Sequence, residues 1–177
     1  MQNMIKKGFA FLLVAAAVTT GTVYAQSAQA PNPLDAIPDK MPFDLPYGAP
    51  IDLEHARAAI AATAAEAKRH DWKLNIAVVD AGGNLVAFER MDDAQLASID
   101  VSQHKARTAV RFRRETKVFE SGVQSGNVYQ LTLDGVIASR GGIPLVENGK
   151  IIGAIGCSGG TGSQDEASCK VGAATVK

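Results

Sequence analysis

The chain lacks an excess of charge of either sign, because its 18 lysines and arginines balance 18 aspartates and glutamates. Proteins that bind nucleic acid usually carry a basic surplus, so we expect no nucleic-acid partner. The chain also lacks a long apolar run. The stretch from Phe9 to Val18 is too short to cross a bilayer, and no second stretch is longer, so we expect no membrane span.

Histidine is scarce, and its spacing excludes several kinds of site. His55, His70 and His104 show neither H-x-H nor H-E-x-x-H spacing, which argues against a preformed zinc site. Residues 156–160 fit the G-x-S-x-G pattern of hydrolases, but no histidine follows Ser158, as the order of that triad requires. The glycine spacing also fails the dinucleotide fingerprint, and there is no Walker lysine.

The N-terminus has the pattern of a secretory signal. Lys6 and Lys7 precede the apolar run, and Ala25 ends a stretch with small residues at the usual cleavage positions. We therefore predict a signal peptide over residues 1–25, cleaved after Ala25, and a periplasmic or secreted protein. The two cysteines, Cys157 and Cys169, would then lie in an oxidising compartment, which favours a disulfide over two free thiols.

The remaining chain divides into an arm and one domain. Six of the seven prolines lie between Pro31 and Pro50, which prevents a helix or a central strand there. Residues 26–50 are predicted to form an extended arm that either trails or wraps a neighbouring subunit. Residues 51–177 are long enough to form one domain with its own core.

The domain is predicted to be α+β. Asp52 is expected to cap a helix that runs to about Arg69 and buries Leu53, Ala56 and Ile60 on one side. Two strands (74–79 and 85–90), two helices (98–112 and 116–124) and a β-hairpin (145–147 and 150–155) are expected to follow, and then a last helix. Tight turns, such as the one at Asn148-Gly149, make the strand pairs antiparallel.

The last strand is expected to open into a glycine-rich loop, with Ser163 capping the final helix. A strand that empties into such a loop at a helix N-terminus often forms a ligand site. The predicted ligand-pocket residues are Arg90, Gly141, Gly142, Pro144, Ser158, Gly159, Gly160 and Asp165.

Several motifs, in this order along the chain, resemble the GlcG/HbpS-like family. They are residues 76–83 (IAVVDAGG), 89–94 (ERMDDA), 105–109 (KARTA), 141–144 (GGIP), 153–156 (GAIG), 158–160 (SGG) and 164–166 (QDE). The resemblance implies a profilin-like fold, with an antiparallel sheet of about five strands flanked by helices. It also implies a homo-oligomer, a tetramer or octamer, and for some members a haem ligand.

The helix around residue 104 carries the best candidates for cofactor binding. His104, Thr108 and Arg111 share one face beside Lys105 and Arg107, and His104 is the candidate metal ligand. Six cations lie between residues 105 and 117. They form either a solvated face paired with Asp100, Glu115 and Glu120, or a basic lip for carboxylates such as haem propionates. Met91 is a second candidate axial ligand, although methionine more often fills a core gap.

Three functions remain open on the sequence alone. The first is an exported haem-binding protein that assists haem or iron handling or redox sensing. The second is an enzyme or accessory acting on a small carboxylate, with Lys105 and the glycine loops as an anion pocket. The third is a structural oligomer without a ligand. A binding protein is favoured over a catalyst.

Overall fold

The sheet consists of four antiparallel strands: β1 (Asn75–Asp80), β2 (Leu85–Arg90), β3 (Gly142–Glu147) and β4 (Lys150–Ser158). Their order in the sheet is β2-β1-β4-β3. The computed structural model describes residues 35–177. The predicted signal peptide and the beginning of the arm lie outside the described residues. The central strand β1 is buried from Asn75 to Val79, as its unbroken apolar run predicts.

Helices cover both faces of the sheet. They are α1 (Leu53–Arg69), α2 (Ser98–Arg111), α3 (Lys117–Gln124), a 3-10 helix (Val128–Thr132) and α4 (Gly162–Ala173). The main core lies on one face, where α1 and α4 pack on Ile76 and Val78. A second core lies on the other face, where α2 packs on Val79 and Ala154. The α+β prediction is therefore confirmed, with four strands among residues 35–177 where about five were expected.

Local signals in the sequence account for the element boundaries. The Asp52 carboxylate accepts a hydrogen bond of 2.8 Å from the backbone N–H of His55 and caps α1. Asn148 and Gly149 have φ values of 49° and 74°, as the predicted type I′ turn requires.

Two predictions about the last strand and helix were wrong. β4 does not open at Gly156 but continues to Ser158, which pairs with Asn75 of β1. The cap of α4 is Thr161 rather than Ser163, because Thr161 and Gln164 form a capping box. In this box the Gln164 side chain accepts a 2.8 Å hydrogen bond from the Thr161 N–H.

The later part of the arm packs on the domain of its own chain. The Ile151 N–H donates to the Pro46 carbonyl, and the Gly48 N–H donates to the Ile151 carbonyl, both at 2.8 Å. The Tyr47 hydroxyl donates to the Val110 carbonyl at the end of α2, at 2.9 Å. The Arg114 guanidinium lies 3.3 Å from the centre of the Phe43 ring. These contacts fix residues 43–48 against β4 and α2.

Residues 39–177 form one compact unit, and only residues 35–38 of the preceding unit are described. Within the described part of the chain, no helix combines the length and apolar character that crossing a membrane requires.

Candidate functional site

The outward face of α2 carries the candidate haem-binding side chains. His104 is half-buried, and its imidazole has no hydrogen-bond partner among residues 35–177. The half-buried Arg107 donates to the Gln103 side-chain oxygen at 3.2 Å. Arg111 is exposed at the end of the helix. Because α2 rises about 1.5 Å per residue, His104 and Arg111 lie about 10 Å apart along its axis.

Thr108 lies between these side chains, but its hydroxyl already forms hydrogen bonds within the chain. It is fully buried, and its hydroxyl donates to the Gly135 carbonyl at 2.9 Å and accepts from the Ile137 N–H at 3.1 Å. Thr108 therefore anchors the loop of residues 135–137 on α2. The segment just before this loop exposes apolar side chains: Val128, Tyr129, Leu131 and Leu133.

Lys105 lies on the buried side of α2 and forms a buried ion pair. Its ammonium lies 2.8 Å from the Asp165 carboxylate of α4 and 3.1 Å from the Cys157 carbonyl of β4. Lys105 is 1% exposed and Asp165 is 2% exposed. The other Asp165 oxygen accepts from the Gly160 N–H at 3.0 Å. This pair joins α2, β4 and α4, and it removes Lys105 from the solvated cation face that the sequence suggested.

Burial raises the pKa of the Asp165 carboxyl above its ordinary value, because the charged form loses hydration. The Lys105 ammonium and the backbone N–H groups at Gly159 and Gly160 oppose this shift by stabilising the carboxylate. The pair therefore depends on close contact between its two charges.

The predicted pocket glycines lie near this ion pair, but they pack tightly within the chain. A Cβ at Gly142 would overlap the Lys105 carbonyl, and one at Gly159 would overlap the Lys73 carbonyl. Gly141 has a φ of 116°, and a Cβ there would meet the Asp165 side chain at 2.9 Å. Because these glycines allow close approach of α2, β3 and β4, their small size is explained without a ligand.

The other predicted pocket residues have separate positions. Pro144 lies in the edge strand β3, where it pairs with Ala154. Ser158 is buried, and its hydroxyl bonds to the Ser98 hydroxyl at 3.1 Å. Beside it the buried Asn75 donates to the Gln95 carbonyl at 3.1 Å, and no protein partner reaches its side-chain oxygen among the described residues.

Cys157 and Cys169 form a disulfide, with Cα atoms 5.8 Å apart. Both residues are fully buried in the main core. The bond joins the end of β4 to α4, and the Lys105–Asp165 pair links α2 to the same α4. Sequence reasoning favoured the disulfide, but it could not find the ion pair, whose partners lie 60 residues apart.

Arg90 and Met91 lie away from the His104 face. Met91 is 7% exposed and belongs to the main core, on the α1 and α4 side of the sheet. Both residues line a cleft of ≈ 270 Å³, together with Lys68, Lys73, Glu89 and Asp92. The sheet therefore separates Met91 from His104, and the two do not face a common site within one subunit.

Among residues 35–177, the cations that follow Lys105 do not form the ion pairs that the sequence suggested with Glu115 and Glu120. Glu115 and Glu120, which the sequence suggested as their partners, instead pair with Lys170 at 3.2 Å and with Arg140 at 2.6 Å. Lys117 pairs with Glu166, a residue that sequence reasoning missed. Burial opposes ionisation of Glu166, but hydrogen bonds from Lys170 and Lys117 outweigh it and lower its pKa.

Haem requires an axial donor, groups that bind its propionates and apolar surface for its ring. His104 supplies an imidazole that no described side chain occupies, and Arg111 supplies an exposed guanidinium on the same helix. The exposed segment 128–133 supplies apolar surface beside the loop that Thr108 anchors. In their chemistry, the residues of α2 and of segment 128–133 fit the group.

Comparisons with known proteins agree with the fold and the motifs. Residues 51–174 match the family model described as "Haem degrading protein HbpS-like". Protein GlcG of Escherichia coli strain K12 is 46% identical over 108 residues, which cover 61% of this chain and 81% of the relative.

Two solved structures share the fold. A double mutant of Streptomyces reticuli HbpS has a TM-score of 0.67 and 27% identity, covering 84% of this chain and 99% of the other. A PduOC:Heme complex has a TM-score of 0.66 and 26% identity, covering 73% of this chain and 96% of the other. The family model matches most of the chain, and protein GlcG is 46% identical to it over 108 residues. The chain therefore belongs to the HbpS-like family.

Proposed function

We propose that this protein binds haem on the outward face of α2. The observation that carries the proposal is the half-buried His104 imidazole, which has no hydrogen-bond partner among residues 35–177 and shares α2 with Arg107 and Arg111. The family description and the heme complex of PduOC support the same ligand class. His104 would hold the iron, and the guanidiniums would hold the propionates. Bound haem would supply an iron centre for redox chemistry.

We further propose that the protein is exported and assembles as a homo-oligomer, a tetramer or octamer. It would assist haem or iron handling or redox sensing. The Cys157–Cys169 disulfide supports an oxidising compartment, since such bonds rarely persist in the cytosol. Export agrees with the signal-peptide pattern of residues 1–25.

The contacts around Lys105 favour haem over the small-carboxylate alternative. An anion pocket would need a free ammonium, but that of Lys105 is held by Asp165 and by the Cys157 carbonyl. Of the adjoining glycines, Gly141, Gly142 and Gly159 are close-packed against backbone atoms of the same chain. A carboxylate would have to displace Asp165 from a buried site.

Titration of the purified protein with hemin tests the proposal. We expect a saturable Soret band with affinity in the micromolar range or tighter. His104→Ala should change the Soret spectrum, because the iron loses its axial nitrogen. Replacing Arg107 and Arg111 by Gln should weaken binding, with a smaller salt dependence than the wild type.

His55→Ala is the matched control. His55 is exposed, and its ring Nδ1 donates to the Asp52 carboxylate at 2.8 Å, so its removal should leave the hemin spectrum unchanged. An unchanged spectrum and affinity in His104→Ala would contradict the axial assignment and direct attention to Met91. A wild-type protein without saturable hemin binding would contradict the function itself.

A further inference from the structure

The two edges of the sheet differ in how they are protected from pairing with another strand. The β3 edge contains Pro144, whose nitrogen has no hydrogen to donate. The β2 edge has no proline, and its apolar residues remain accessible: Leu85 is 45% exposed, and Val86 and Phe88 are half-buried. Glu89 and Arg90 place charges only at the last two positions of β2, so Leu85 to Phe88 form an apolar edge at which another strand can be added.

An open groove of ≈ 380 Å³ runs beside this edge, between β2 and α1. Leu53 on its α1 side is 44% exposed, although the apolar spacing of α1 predicts a buried position. The rest of the lining is Arg57, Ile60, Val86, Ala87, Phe88 and Glu89. The groove is therefore an apolar surface with one cation and one anion.

The two charges in this groove have no partners within the described part of the chain. Neither Arg57 nor Glu89 forms a salt bridge or side-chain hydrogen bond among residues 35–177. A surface with one unpaired charge of each sign can be complementary to itself. A two-fold contact between identical chains requires such self-complementarity. In such a contact, a pair between one residue of the first copy and another residue of the second copy is formed twice.

Resting on the homo-oligomer proposed above, we propose that one of its contacts is formed by the β2 edge and its groove, which bind the same surface of a second copy of this chain. The two β2 strands would pair antiparallel about a two-fold axis and join the sheets into one of eight strands. Arg57 of each copy would meet Glu89 of the other, while the accessible apolar side chains of the groove would be buried. The arm is a poorer occupant, because a proline every few residues interrupts its row of N–H donors.

A charge exchange tests this interface. The assembly state of the purified, disulfide-intact protein is measured without hemin, by sedimentation velocity across a concentration series. Arg57→Glu and Glu89→Arg each place like charges opposite one another at two points of the contact. Each should weaken the association by about tenfold or more, since opposed like charges are costly at interfaces. The double variant Arg57→Glu/Glu89→Arg restores opposite pairs and should recover association to within about threefold.

Lys150→Glu is the matched control, because it makes the same charge change on an exposed residue away from the β2 edge. It should leave association unchanged, and thermal unfolding should confirm that all variants are folded. The interface is refuted if the single variants associate like the wild type, if the double variant fails to recover, or if the wild type is a monomer. Hemin binding is measured separately, so either result can fail without the other.

Discussion

Removing the Lys105 charge while keeping its bulk should destabilise the fold strongly. Lys105→Met leaves an apolar chain of similar length in a position that is 1% exposed. It also leaves the Asp165 carboxylate buried without its cation, and the Cys157 carbonyl without a donor. Met cannot replace either interaction, so Asp165 must remain charged at a cost or take up a proton.

Breaking one side of a buried ion pair typically costs about 3–5 kcal/mol of unfolding free energy. For a chain of this size, about 1 kcal/mol corresponds to a shift in melting temperature of roughly 2–4 °C. We therefore expect Lys105→Met to melt roughly 6–20 °C below the wild type. The double variant Lys105→Met/Asp165→Asn should melt higher than Lys105→Met alone. It contains no unpaired charge, and the Asn oxygen can still accept from Gly160.

Urea unfolding, followed by the fluorescence of Trp72, the single tryptophan, measures the free energies of unfolding. Thermal unfolding of the same variants measures the melting temperatures. Lys117→Met is the control, because its pair with Glu166 is 3.2 Å long and its side chain is 45% exposed. This change should cost less than about 1 kcal/mol, as exposed pairs usually do. If Lys105→Met costs no more than Lys117→Met, the role of Lys105 argued from its burial is wrong.

The disulfide and the Glu166 cluster give two more predictions. Cys157→Ala/Cys169→Ala should lose about 2–3 kcal/mol of stability in urea unfolding, because the bond closes a loop of 12 residues; two alkylated thiols in unreduced wild type would contradict the bond. The lowered pKa of Glu166 means that its contribution is present above its ordinary value of 4.5 and is lost as pH falls through the lowered pKa. Melting temperatures between pH 7 and pH 3 should therefore fall less steeply in Glu166→Gln than in the wild type, and equal slopes would count against the cluster.

Much of the fold could be predicted because its signals are local. The apolar run of β1, the Asn148-Gly149 turn and the Asp52 cap each act within a few residues, and the structure confirms all three. The misplaced cap of α4 was also local, since Thr161 and Gln164 have the spacing of a capping box.

The candidate site was harder to predict, because its contacts join distant parts of the chain. The sequence placed Lys105 in a run of cations, and only the packing of α2 against β3 and β4 directs its ammonium to Asp165. The glycines suggested a ligand loop, but close approach between backbones requires the same residue. Local composition could not separate these two uses of glycine.

The docking of the arm has a consequence for ligand binding. Tyr47 holds the last carbonyls of α2, while the Lys105–Asp165 pair holds the middle of the same helix. The helix that carries His104 and Arg111 is thus restrained before any ligand arrives. A preorganised surface spends less of its interaction energy on ordering itself, and more of that energy remains as affinity.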